Sequence, residues 1–120
     1  MTVERFTVQD LPAESRYVLI DRGEDGTDSR EIGEESYVDV GDERVLFHTG
    51  VSEDYAGQGL ASKLVRAVVD DVVAAGKSIV PVCPYVAAWM PKHPEYDEHV
   101  VARRADHIAA IRAQEEGREA

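Results

Sequence analysis

The sequence holds a single cysteine, Cys83. One thiol cannot build an internal disulfide framework, and a zinc site made from paired cysteines is excluded with it. Long apolar runs are also missing. None approaches the roughly 20 residues that span a bilayer, so no membrane partner is expected. The opening stretch, MTVERFTVQD, carries charges but no apolar core of a secretory signal, which makes a cytoplasmic protein the expectation. Bases are scarce: 13 Lys and Arg stand against 24 Asp and Glu, for a net charge of −11. The densest basic spot, Arg103-Arg104, has Asp106 close by. A nucleic-acid binder needs a basic stripe to neutralise phosphates, so no nucleic-acid partner is expected. The acidity serves solubility, or it draws in a cationic substrate such as an amine.

What is present is enough apolar residue, 43% of 120, for one folded domain spanning 1–120. Residues 3–9 read as a first strand, with Phe6 and Val8 on one face and Val3, Arg5 and Thr7 on the other. Residues 16–22, RYVLIDR, read as a second strand, and GEDGTDS at 23–29 as a turn. EESYVDV, residues 34–40, suggests a third strand, and RVLFHTGV at 44–51 a fourth, joined by Gly41-Asp42. Links this short predict an antiparallel meander. The period then changes. From Gln58 to Ala75, Leu60, Leu64, Val68 and Val72 form one helical row, and Val65, Val69 and Val73 its neighbour. SIVPVC, residues 78–83, is a short buried strand, parallel to the fourth because a helix joins them. Tyr85–Met90 is a short helix and a last helix runs from about Glu95 to Ala113, before a frayed tail over 114–120. The fold class predicted is α+β: an antiparallel meander, then strand–helix–strand and a C-terminal helix.

The turn between the fourth strand and the long helix, DYAGQGLASK, carries the chemistry. Gly57-x-Gly59 exposes backbone N–H groups, and the helix adds the positive end of its dipole, which together suit phosphate. A dinucleotide fingerprint fails, since Ser62 stands at the third glycine position and no acid follows at the required distance. A P-loop fails because Ser62 precedes Lys63. A glycine turn with no ligand is the structural alternative.

In this order of elements the stretch resembles the acetyl-CoA-binding motif of the GNAT superfamily of N-acetyltransferases, [QR]-x-x-G-x-[GA]. Gly57 and Gly59 match its last fixed positions, whereas Asp54 stands where the motif has Gln or Arg. FHTGV, YAGQGLASKLV, IVPVCPYV and KHPEY together resemble the small GNAT-like proteins of the NATD type, over about residues 30–100. The resemblance implies a GNAT-like mixed sheet whose fourth and fifth strands splay apart, and acetyl-CoA or CoA as cosubstrate. It implies transfer of an acetyl group to an amine acceptor that the sequence does not identify.

The same resemblance places Thr49, Gly50 and Val51 beside the pantetheine arm. It sets the backbone of Gly57, Gln58, Gly59, Leu60 and Ala61 under the pyrophosphate, with Ser62 and Lys63 within reach of phosphate. Lys63 reads equally well as an exposed helix lysine. Cys83 aligns with the residue proposed as catalytic in these proteins. A thiolate can carry an acetyl group as a covalent relay if its pKa is lowered by a helix N-terminus or a cation. Otherwise Cys83 is a small core residue. His48 or His93 is a candidate partner or base for it. His48 shares strand parity with Leu46 and Gly50. No acid lies between Val45 and Ser52, so the glutamate base common on this strand in ordinary GNAT enzymes is not carried over. Tyr85 either hydrogen-bonds the thioester or packs on Trp89. His93, Pro94 and Tyr96 match the pattern and anchor the last helix. No metal site is expected, since the four histidines lack ligand spacing and His99 and His107 read as exposed. Two alternatives stand beside the enzyme: a CoA or acyl-CoA binding module without turnover, and an interaction protein that has lost the ligand.

Overall fold

A computed structural model describes residues 4–119. Val3, assigned to the first predicted strand, and Ala120, at the end of the tail, lie outside them. Five strands form one sheet in chain order: β1 (Phe6–Leu11), β2 (Arg16–Asp21), β3 (Arg30–Val40), β4 (Glu43–Val51) and β5 (Ser78–Pro81). β1 to β4 pair antiparallel and β5 runs parallel to β4, as the link lengths require. β3 starts earlier than its aromatic and β-branched residues suggest, because Arg30 and Glu31 pair with Asp21 and Ile20.

Helix α1 (Leu60–Ala74) supplies the crossover. Leu60, Leu64, Val65, Val68, Val69 and Val72 are buried, so most of its circumference is apolar and lies on the sheet. The opposite sheet face is smaller: Val45 and Val80 meet Ile108 and Ile111 of α3 (Ala105–Glu119). Among the described residues no helix is long and apolar enough to cross a membrane.

Two bulges shift the parity of this sheet. Ser36 pairs with His48 but Tyr37 pairs with Leu46, leaving Phe47 as the extra residue of β4. Likewise Gly33 pairs with Leu19 and Glu31 with Ile20, leaving Ile32 extra in β3. After Phe47 the faces of β4 exchange. Leu46 and Val51 therefore serve the same core although they are an odd number of positions apart.

The C-terminal third departs from the pattern reading. The stretch after Pro94 is a 3-10 turn, Pro94–His99, and not the start of the last helix. Val100 then forms a parallel bridge to Ile79, and the Val101 N–H donates to the Ile79 carbonyl at 2.8 Å. β5 is a short edge strand with an open ladder, and two β-branched residues cover it better in an extended chain than in a helix. The tail is helical through Glu119, with Gln114 donating to the Tyr37 carbonyl at 2.8 Å. His107, read as exposed, is fully buried. Its Nδ1 accepts from the Arg104 N–H at 2.9 Å, which leaves the ring proton on Nε2 to donate to Glu43 at 2.8 Å. One imidazole thus caps α3 and ties it to the start of β4. His107→Ala is expected to cost about 2 kcal/mol or more, through the orphaned Glu43 and the emptied space. Urea unfolding checks this; a loss under about 0.5 kcal/mol, usual for a surface residue, would contradict it.

Candidate active site

β4 and β5 pair only from Glu43↔Ser78 to Leu46↔Pro81. Beyond that point both the Val82 and Cys83 N–H groups converge on the Leu46 carbonyl, each at 3.0 Å, and the chain turns away. Pro84 opens helix α2 (Pro84–Trp89), with Cys83 as its N-cap residue. From His48 to Val51, β4 keeps its ladder to β3 alone. The two strands therefore part in a wedge, with Cys83 at its apex.

The glycine turn forms the other wall. Gly57 and Gly59 have φ of +82° and +71°, left-handed conformations that a side chain disfavours by roughly 1–2 kcal/mol. Gly59 is the N-cap of α1 and, having no side chain, leaves the first-turn N–H groups without a side-chain acceptor. A groove of about 250 Å³ lies between this turn, the end of β4 and α2. Val51, Gly57, Gly59, Leu60, Ala61, Ser62 and Tyr85 line it, joined by Ser52, Glu53, Tyr55 and Ala56. Asp54 is exposed and does not line the groove; the acid facing it is Glu53.

Other sequence candidates stand elsewhere. Thr49, Gly50, Gln58 and Cys83 do not line the groove; Cys83 is buried behind it. Lys63 points to a separate groove between β1 and α1 and pairs with Glu4 at 2.5 Å. Ser62 accepts a hydrogen bond from Trp89 Nε1 at 2.9 Å, so its hydroxyl fixes α2 against α1. Tyr85 is 40% exposed in the groove, and the ring partners of Trp89 are His93, stacked at 3.5 Å, and Tyr96. Tyr96 donates to Asp70 at 2.5 Å and accepts from Arg66, lashing this turn to α1. His93 and Tyr96 thus anchor the wall made by α2, not the last helix. His48 is not beside Cys83. The Phe47 bulge turns it to the opposite face from Leu46, where its side chain is 57% exposed and Nε2 lies 3.8 Å from Glu34. Among the described residues no group of three or more His, Cys, Asp or Glu side chains could hold a metal ion.

What the fold does bring to Cys83 is Thr49, whose Oγ1 lies 3.3 Å from Sγ. The same hydroxyl donates a short hydrogen bond to Glu35 Oε1. Glu35 on β3 is paired in register with Thr49 and is fully buried. Sequence reasoning missed it. The signal was its parity with Tyr37, a core aromatic two residues on, in a strand read only for its apolar members. Burial pushes its carboxyl up to about 8 from an ordinary 4.5, the nearby charge of Glu34 adds to this, and the Thr49 hydroxyl and His48 peptide oppose it. Burial also holds the Tyr85 phenol above its usual range.

A raised folded pKa means that the folded chain keeps a proton which the unfolded chain releases. The stability held by neutral Glu35 is full below about pH 4.5 and is lost as the pH rises through about 8. Glu35→Gln should match the parent near pH 4.5 and exceed it by about 2–4 kcal/mol above pH 8. Urea unfolding at both pH values checks this, and a parent at least as stable as the variant at the higher pH would refute it.

Residues 16–100 match the family model described as GCN5-related N-acetyl-transferase. The fold is similar to the NMR solution structure of a GCN5-like protein from Staphylococcus aureus, with a TM-score of 0.60 and 23% identity over 88% of this chain and 97% of that one. The crystal structure of the ribosomal-protein-S18-alanine N-acetyltransferase from Escherichia coli overlaps 65% of this chain and 42% of its own, with a TM-score of 0.45 and 23% identity. No curated protein matches. With a mixed five-stranded sheet, a glycine turn opening α1, and a family match across most of its length, the chain belongs to the GCN5-related N-acetyltransferases, a family of acyltransferases.

Proposed function

We propose that the chain binds acetyl-CoA in the wedge between β4 and α2 and passes the acetyl group to an amine through Cys83. The observation that carries this reading is the wedge itself. It leaves the end of β4 without a strand on its β5 side, beside an N-cap thiol and a groove that runs to the glycine turn. The backbone of Thr49, Gly50 and Val51 offers peptide groups to an extended amide chain such as pantetheine. The N–H groups around Gly57 to Ala61 offer donors and a dipole to a pyrophosphate.

The chemistry is acyl transfer in two steps. The Cys83 thiolate attacks the thioester carbonyl, the carbon–sulfur bond to CoA breaks, and CoA leaves as a thiolate. The amine then attacks the new thioester, loses a proton to water and frees Cys83, while the CoA thiolate takes its proton from water. An acceptor with a positive charge suits a chain of net charge −11. A second reading, a coenzyme-binding module without turnover, draws support from His48, which stands on the far sheet face and gives Cys83 no base.

Acetyl-CoA at about 100 times its dissociation constant should add roughly 2.7 kcal/mol and raise the melting temperature by several degrees. Gly59→Ala should reduce that rise, because a side chain disfavours the left-handed turn that presents the N–H groups. Cys83→Ala should keep the rise yet lose acetyl transfer. No rise at millimolar acetyl-CoA rejects both readings; a rise with transfer intact in Cys83→Ala rejects the cysteine carrier.

A further inference from the structure

The burial of Glu35 has no structural return in sight. Its side chain is fully covered, and Oε2 has no hydrogen-bond partner. The charge that acts on it is that of Glu34, which repels. Its neighbours in register are Tyr17 and Thr49, and α1 closes this core with Leu60, Leu64 and Val68. A buried carboxyl with an empty oxygen is costly. A glutamine would give Thr49 the same acceptor but leave an unmet NH2 where Oε2 stands, and it could not take up and release a proton as the carboxyl can.

Thr49 has one proton to give and lone pairs to receive another. It sits between Glu35 Oε1 and Cys83 Sγ. The three groups come from three separate segments: β3, β4 and the turn into α2.

We infer that Glu35 is the proton acceptor for Cys83, acting through the Thr49 hydroxyl as a positioning residue for the thiol. The inference rests on the reading of Cys83 as an acyl carrier. Cys83 passes its proton to Thr49 Oγ1 as Thr49 passes its own to Glu35. The sulfur's electron pair then forms the bond to the thioester carbon, and the CoA sulfur leaves with the pair of the broken bond. When the amine displaces Cys83, Glu35 returns the proton along the same path. The acid absent from the Val45–Val51 stretch of β4 is thereby supplied by the strand beside it.

Few other groups titrate within reach. On β2, the Tyr17 hydroxyl donates to Asp71 of α1 at 2.6 Å and accepts from Arg44 at 2.8 Å, and burial holds its proton on. On β3, Glu34 adds negative charge and Tyr37 donates to Asp10. On β4, the His48 ring faces away. The carboxyl holds its proton up to about pH 8, so the relay becomes competent as the pH rises through that range.

The test uses the full chain, whose one cysteine makes the readout unambiguous. The alkylation rate of Cys83 by iodoacetamide is followed by intact mass from pH 6 to 10, with no acetyl-CoA present. Glu35→Gln and Thr49→Val should each slow alkylation at least about tenfold near pH 8 and move the pH profile upward. Thr49→Ser, which restores the hydroxyl, should recover most of the rate. Circular dichroism and melting curves confirm folding of each variant, and Thr49→Val carries the test should Glu35→Gln not fold. A rate and profile unchanged in the folded variants, or a faster rate, would overturn the relay and leave Glu35 as a charge that merely opposes the thiolate. Because the probe is iodoacetamide, this result stands apart from acetyl-CoA binding. A relay seen without any acetyl-CoA-induced stabilisation rejects the acetyl-CoA reading and keeps the activated thiol.

Discussion

The parting of β4 from β5 is the constraint on which the rest of the site depends. Parallel pairing lasts four residues, then Pro81 removes a ladder donor and two successive N–H groups crowd onto the Leu46 carbonyl. The chain must leave the sheet there. Cys83 therefore ends at a helix N-cap and not inside a strand, and the end of β4 has no strand on its β5 side. A longer β5 would seal the wedge, whereas here Cys83, though buried at 6% exposure against the core, stands where the two strands part. The bridge of Val100 to Ile79 shows the other edge of the same short strand being covered, away from the groove.

Two buried ionisable groups in this sheet have opposite fates. Arg44 is enclosed, yet it has Asp39 in a two-point ion pair at 2.8 and 2.9 Å, the Tyr17 hydroxyl at 2.8 Å and the Tyr37 ring 4.0 Å from its guanidinium carbon. Every part of that cation is met, as structural burial requires. Glu35 shares the interior with one hydrogen bond and an empty oxygen. The contrast separates a charge that holds the fold from a carboxyl that the fold tolerates only with its proton on. Perturbed groups of the second kind cluster where chemistry is done.

Much of the fold was legible because period and link length are local signals. The four-residue rows of α1, the short links of the meander and the crossover to β5 each follow from a few residues read together. Gly57 and Gly59 stood out in the sequence because their left-handed conformations leave few other residue types, and both line the groove. The site was less legible because it depends on parity, and parity is lost at a bulge. Nothing in VLFHTGV marks Phe47 as the extra residue, yet that one insertion sends His48 outward and Thr49 onto Cys83. Glu35 needed a second strand in register before its meaning appeared. The last helix was misplaced for a similar reason: Val100 and Val101 suit a helix by pattern, and only the open edge of β5 makes the extended chain better.

The most direct measurement of the central claim is an amide NMR map of the chain titrated with acetyl-CoA. The account predicts the largest shifts at Thr49, Gly50 and Val51 and from Gly57 to Ser62, with the β1–α1 groove around Thr7 and Arg66 unmoved. Shifts centred on that second groove, or none at millimolar acetyl-CoA, would contradict it.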